Sequence, residues 1–124
     1  MASSYDVVGS DIASVYSGIA DNSAVTVAPY RQLDITDKDA VMKTITDLKP
    51  DAIIHCAAWT AVDAAEADEN KEKVDKINHF GTLYIAEAAK ANDAKMLYLS
   101  TDYVFDGQGD RPWEPDDKNY DPLN

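Results

Sequence analysis

A chain of 124 residues, 45% hydrophobic and 27% charged, fits a single compact domain and has the material for a modest core. Its 23 acidic residues against 11 basic ones give a net charge of −12, a field that repels phosphate backbones and anionic lipid surfaces and argues against nucleic acid or a membrane surface as partner. No stretch reaches the roughly 20 apolar residues of a membrane span, and Met1-Ala2-Ser3-Ser4 has neither the basic end nor the apolar run of a secretion signal. The single cysteine, Cys56, has no internal disulfide partner and reads as a small buried hydrophobe, so a reducing compartment, the cytoplasm, is the expected location.

In chain order, Tyr5–Asp11 reads as a short strand ending at a carboxylate, and a loop rich in Ser, Gly, Asp and Asn then feeds a second strand near Val25–Leu33. Thr36 followed by Asp39 has the look of a helix cap. The helical spacing of Val41, Met42, Ile45 and Leu48 predicts a helix over 37–48, stopped by Pro50. The apolar run Ala52–Ala57 is expected to be a buried strand of a parallel sheet. Val74, Ile77, Phe80, Ile85 and Ala88 form a stripe on a long helix over 70–91, and Met96–Ser100 is the next buried strand. Beyond Gly107 the prolines and acidic residues describe surface loop.

Strands alternating with helices specify a doubly wound parallel α/β sheet with helices on both faces. In such sheets ligands bind outside the carboxyl ends of the strands, where Asp11, Trp59-Thr60 and Ser100-Thr101-Asp102 are expected to fall. A metal site is not expected, because the neighbouring strand residues His55 and Cys56 point to opposite faces and cannot share an ion. Asp63 and Glu66 read as a solvated helix start.

The segments His55-Cys56-Ala57-Ala58-Trp59-Thr60-Ala61-Val62-Asp63-Ala64-Ala65-Glu66 and Ser100-Thr101-Asp102-Tyr103-Val104-Phe105-Asp106-Gly107 resemble, in order and separation, two interior signatures of the dTDP-4-dehydrorhamnose reductases. Leu33-Asp34-Ile35-Thr36-Asp37, Asn78 with Gly81-Thr82, and Pro122-Leu123-Asn124 are similar to further landmarks, so the likeness covers nearly the whole chain. These enzymes are extended short-chain dehydrogenases of dTDP-rhamnose biosynthesis. They pass hydride from NADPH or NADH to a dTDP-linked 4-keto sugar while a tyrosine donates the proton.

The resemblance implies a catalytic role for Thr101, whose hydroxyl would hydrogen-bond near the reacting carbonyl, and contacts from Thr101, Asp102 and Tyr103 to the sugar. Read as residues alone, Thr101 could equally cap the following turn, Asp102 form it and Tyr103 pack. The cofactor would lie against Asp11, Asp34, Ile35, Ala58, Trp59, Thr60 and Leu99, with Asp11 receiving the adenosine ribose and disfavouring a 2′-phosphate. Asn78 is taken as structural.

Two features of such a reductase do not occur in these residues. The glycines, at 9, 18, 81, 107 and 109, do not make a Gly-x-x-Gly-x-x-Gly turn for a pyrophosphate, and none of the seven tyrosines has lysine four positions later. The expectation is a single partial dinucleotide-binding domain over 1–124 that lacks the first β-α unit and the C-terminal substrate domain. Such a chain would be inactive alone. The missing strand would be the central one of the sheet, so the two halves are expected either to close on each other or to recruit an edge from a second copy. A non-catalytic binding or regulatory subunit on the same scaffold is the alternative.

Overall fold

The structure, a computed structural model, describes residues 4–23, 28–118 and 120–122. Its elements are β1 (Gly9–Asp11), α1 (Ser17–Ala20), β2 (Tyr30–Gln32), α2 (Lys38–Leu48), β3 (Ala52–His55), α3 (Val62–Ala65), α4 (Asp68–Val74), a π-helical segment (Asp75–Gly81), α5 (Thr82–Ala91) and β4 (Lys95–Tyr98), then a 3₁₀ turn at Asp102–Val104. Both strands expected in the first third are shorter than the sequence suggests. Val25–Val27 of the second lie outside the described residues, as do Leu123 and Asn124.

The helix over 37–48 forms, with a different cap from the one expected. Asp37, not Thr36, is the N-cap: its side chain accepts from the Ala40 N–H at 3.0 Å, satisfying a donor that the first helical turn leaves unpaired. The Thr36 hydroxyl instead donates to Asp34 Oδ1 at 2.7 Å. At the other end Lys49 turns left-handed at φ 46° and donates its N–H to the Ile45 carbonyl, and Pro50 prevents continuation.

β1 pairs with β2 and β3 with β4, both in parallel, with Asp11 opposite Gln32 and His55 opposite Tyr98. This is a partial doubly wound α/β arrangement, its sheet in two separate pairs. Direct pairing of the halves, one of the two closures expected, does not occur among the described residues. An apolar layer joins the chain instead: Leu33 after β2, Val41 and Ile45 of α2 and Ile85 and Ala88 of α5 are buried together, with Ile53 and Met96 packed beneath them. Asn92 fastens the same layer at its rim, donating to the Thr46 hydroxyl and to the Ala88 carbonyl.

Among the described residues, helices cover only one face of the β3–β4 pair, a correction to the buried strands expected from the apolar runs. Because side chains alternate along a strand, Ile53 and His55 face α5 while Ile54 and Cys56 face the other way. That face is open: Ile54 is 67% exposed and Leu97 and Leu99 each 56%. Cys56 is exposed with them rather than buried.

The long helix begins at Asp68, two residues earlier than expected, and changes to π geometry at Asp75–Gly81 before resuming as α5. The extra residue per turn moves the stripe out of phase, so Ile85 and Ala88 are buried while Phe80 is 37% exposed.

Candidate functional site at the carboxyl ends of the strands

The polar residues singled out in the sequence emerge at one end of the strands. Beyond β1, Asp11 Oδ1 accepts from the Ala13 N–H at 3.1 Å, and the Asp11 carbonyl accepts from the Leu33 N–H at 2.8 Å, which sets the end of β1 beside the turn Asp34–Thr36. Two side chains of β2 hold the loop after Asp11. The Tyr30 hydroxyl donates to the Ala13 carbonyl at 2.5 Å and Gln32 Nε2 to the Ile12 carbonyl at 2.9 Å. Desolvation, and then the Asp11 charge, push the Tyr30 phenol above its ordinary pKa.

Asp34 forms its own turn. Its Oδ1 accepts from both the backbone N–H and the hydroxyl of Thr36, at 2.9 and 2.7 Å, so the carboxylate is fixed in direction while remaining exposed. Ile35, between them, is half-buried against the core, and its side chain fills the space over Gly81.

After β3 the chain runs through Ala58, Trp59 and Thr60, with Ala58 and Thr60 exposed and Trp59 half-buried. Asn78 of the π segment holds Trp59 at two points, accepting from its N–H at 2.7 Å and donating to its carbonyl at 3.2 Å. The carboxamide thus satisfies both backbone groups of a residue beyond the end of the sheet. The indole Nε1 donates to the Ala61 carbonyl at 3.0 Å. His55, the last residue of β3, is buried, lies 3.0 Å from the Thr82 hydroxyl and stacks on Tyr98, and desolvation holds its pKa below the ordinary histidine value.

Beyond β4, Leu99 continues the register by donating its N–H to the His55 carbonyl, and Thr101 follows as the N-cap of the 3₁₀ turn. Thr101 Oγ1 accepts from the Tyr103 N–H at 3.2 Å and makes a long 3.4 Å contact to Asp102 Oδ1. The turn-capping reading of Thr101 therefore holds as geometry. Cap duty uses an oxygen lone pair; the hydroxyl hydrogen is directed to Asp102 Oδ1 and would have to rotate away from it to serve a ligand. Tyr103 is 57% exposed rather than packed.

β3 and β4 pair in register as far as His55 with Tyr98, and the Trp59 loop and the Thr101 turn follow these two strand ends. The π segment, touching Ile35 with Gly81 and Trp59 with Asn78, sets the end of β2 beside the end of β3. Sequence reasoning had given no role to Tyr30, Gln32, His55 or Thr82. Gly81 entered the sequence reading only through resemblance; a glycine inside a helix, costing about 0.5–1 kcal/mol relative to alanine, is the physical signal at that position.

The profile of the RmlD substrate binding domain family matches residues 5–124. A dTDP-4-dehydrorhamnose reductase from Streptomyces griseus is 43% identical over 94 residues, which are 76% of this chain and 30% of that protein. One from Mycolicibacterium smegmatis is 42% identical over 100 residues, 80% of this chain and 29% of its own length. Among solved structures, a dTDP-4-dehydrorhamnose reductase from Clostridium acetobutylicum superposes with a TM-score of 0.70 at 32% identity, covering 93% of this chain and 42% of that one. The Bacillus anthracis enzyme, in complex with NADP, gives 0.62 at 37% identity, covering 77% and 36%. A UDP-glucose 4-epimerase from Brucella ovis, at 23% identity and a TM-score of 0.77, shares the fold. The chain spans about 30% of the length of the curated relatives it matches, and within that span it belongs to the dTDP-4-dehydrorhamnose reductase family.

Proposed function

We propose that this chain is the inner part of the nucleotide-binding domain of a cytoplasmic reductase, one that reduces a dTDP-linked 4-keto sugar with NADPH or NADH in dTDP-rhamnose biosynthesis. The observation that carries this reading is the parallel pairing of β3 with β4, whose carboxyl ends lead into the Trp59 loop and the Thr101 turn, the side on which doubly wound sheets bind ligands.

The residues present fit the adenosine end of such a cofactor by their chemistry. Asp11, its carboxylate steadied by the Ala13 N–H, offers an acceptor to ribose hydroxyls, while Asp34 and Ile35 offer a fixed turn with an apolar surface for the adenine. Ala58, Trp59, Thr60 and Leu99 would line the remainder. The cofactor, when bound, supplies the hydride. Thr101 donates a hydrogen bond at the sugar carbonyl, and Asp102 and Tyr103 orient the sugar. No glycine-rich turn and no Tyr-x-x-x-Lys pair occur in the 124 residues, so by themselves they lack a pyrophosphate cradle and a proton donor. The donor alone is commonly worth about 10²–10⁴ in rate.

Calorimetric titration with NADPH and NADH, and turnover of dTDP-4-dehydrorhamnose, test the reading on this chain and on a version extended at both ends with the corresponding segments of the Streptomyces griseus reductase. The extended version is expected to bind cofactor and turn over; the 124 residues alone are not expected to turn over. An extended version that binds cofactor yet never reduces the sugar would favour the non-catalytic subunit, a reading that the turn-capping geometry of Thr101 also accommodates.

A further inference from the structure

The π segment touches both the turn after β2 and the loop after β3, and it does so through two residues three positions apart. Asn78 holds the Trp59 backbone at two points. Gly81, buried, meets Ile35: a Cβ at position 81 would stand 2.7 Å from Ile35 Cδ1 and 2.8 Å from Cγ1. Gly81 has ordinary helical angles, φ −58° and ψ −46°, so its conformation does not call for glycine; the close approach of Ile35 does.

The π geometry explains how one helix serves two loops. In an α-helix groups three positions apart point within roughly 60° of each other, whereas the wider π turn, at roughly 80° per residue, separates them by roughly 120°. The wider turn lets Asn78 reach the end of β3 while Gly81 faces the end of β2.

We infer that Asn78 and Gly81 are paired positioning residues, which lock the Asp34–Thr36 turn and the Trp59 loop at a fixed separation so that displacement of either loop is transmitted to the other. Any consequence for a cofactor lying between these loops rests on the function proposed above; the mechanical coupling does not. Cδ1 of Ile35 can turn about χ2, but Cγ1 moves only with χ1, which β-branching restricts, so Gly81→Ala is expected to move the helix or the turn. Helix movement drags Asn78 off Trp59. Removing Cδ1 and Cγ1 by Ile35→Ala leaves Ile35 Cβ at 3.5 Å from the new methyl, an ordinary contact.

Amide hydrogen exchange on this chain tests the coupling through the Trp59 and Thr36 N–H groups. Gly81→Ala is expected to speed exchange at the Trp59 amide by roughly tenfold or more, and the double variant Gly81→Ala/Ile35→Ala to return it to within about twofold of the parent. Asn78→Ala is expected to speed exchange at the Thr36 amide, although it touches nothing in that turn. Should Gly81→Ala fail to fold, Ile35→Ala alone decides: by loosening the contact it is expected to speed the Trp59 amide by roughly threefold. A folded Ile35→Ala variant with a Trp59 amide as slow as the parent's overturns the inference, as does a double variant whose effect is the product of the single ones. Titration of the extended version with NADH separates the two readings, since its failure to bind counts against the proposed cofactor site and leaves the exchange results to judge the coupling.

Discussion

The two strand pairs are held by different forces. β3 and β4 lie under α2 and α5, and the described buried hydrophobic side chains, Leu33, Val41, Ile45, Ile85, Ala88 and Ala89, belong to that layer or its margin. β1 and β2, three residues each, have little of it: Val7, Val8, Ile12, Val15 and Tyr16 around β1 are exposed. There the chain is fastened by polar groups, with Tyr30 and Gln32 reaching back to the carbonyls of Ala13 and Ile12. Apolar burial stabilises in proportion to area and is shared across a layer, whereas single hydrogen bonds at a surface act locally. The first pair should therefore open without the second, and the second should not open without taking the first with it.

Truncating the shared layer should produce the largest effect. Ile45→Ala removes a buried side chain from the centre of the α2–α5 contact, a change that typically costs about 2–5 kcal/mol. Against the roughly 5–15 kcal/mol of an ordinary domain, that is enough to lower the urea midpoint of the whole chain markedly. If β1–β2 amide protection outlasted helix content as urea rose in this variant, the shared-layer account would fail.

An effect of intermediate size is expected at His55, the one buried polar residue of the second pair. Burial depresses its folded pKa below the ordinary value near 6.5, so the folded state favours the neutral ring. The stability this contributes is complete above about pH 6.5 and is lost as pH falls through the depressed folded value. Urea midpoints compared at pH 7 and pH 5 should fall in the parent and fall less in His55→Gln, which keeps a polar group for Thr82 without a titrating ring. Equal losses in both would show that His55 is not the responsible group.

The two long helical stretches and their order were legible because periodicity is a local signal, whereas the short helix Ser17–Ala20 falls where a loop was expected. Val41 with Ile45 and Ile85 with Ala88 lie where the spacing placed them, and the four strands fall inside or at the edge of the runs that suggested them. What the sequence hid was phase and coverage. A π insertion leaves no periodic mark, so Phe80 was assigned to a stripe that it leaves. Cys56, Ile54 and Leu97 looked buried because an apolar run reports hydrophobicity and not which faces a helix covers. Position at a strand end picked out Asp11, Trp59 and Thr101, and each follows or ends a strand of one of the two parallel pairs. Asn78 with Trp59 and Gly81 with Ile35 are 19 and 46 residues apart, and no local pattern joins residues at such separations.

The smallest effect is expected from the polar fastening of the first pair, through Tyr30→Phe. The variant keeps the ring and loses only the hydroxyl that donates to the Ala13 carbonyl. At neutral pH the urea midpoint should not move, while the ladder amides of Gly9 and Leu33, which bond to the Pro29 and Asp11 carbonyls, should exchange faster than in the parent. High pH sharpens the test. Desolvation and the Asp11 charge raise the folded pKa of Tyr30, so the neutral phenol is favoured in the folded state. Its contribution is whole below the ordinary tyrosine value near 10 and is lost as pH rises through the raised folded value. In the parent the Gly9 and Leu33 amides should therefore lose protection, beyond the intrinsic acceleration by base, as pH climbs past 10; in Tyr30→Phe that extra loss should be absent. A Tyr30→Phe midpoint shift as large as that of Ile45→Ala would mean that the two pairs form one cooperative unit, and the contrast between burial and polar fastening would be lost.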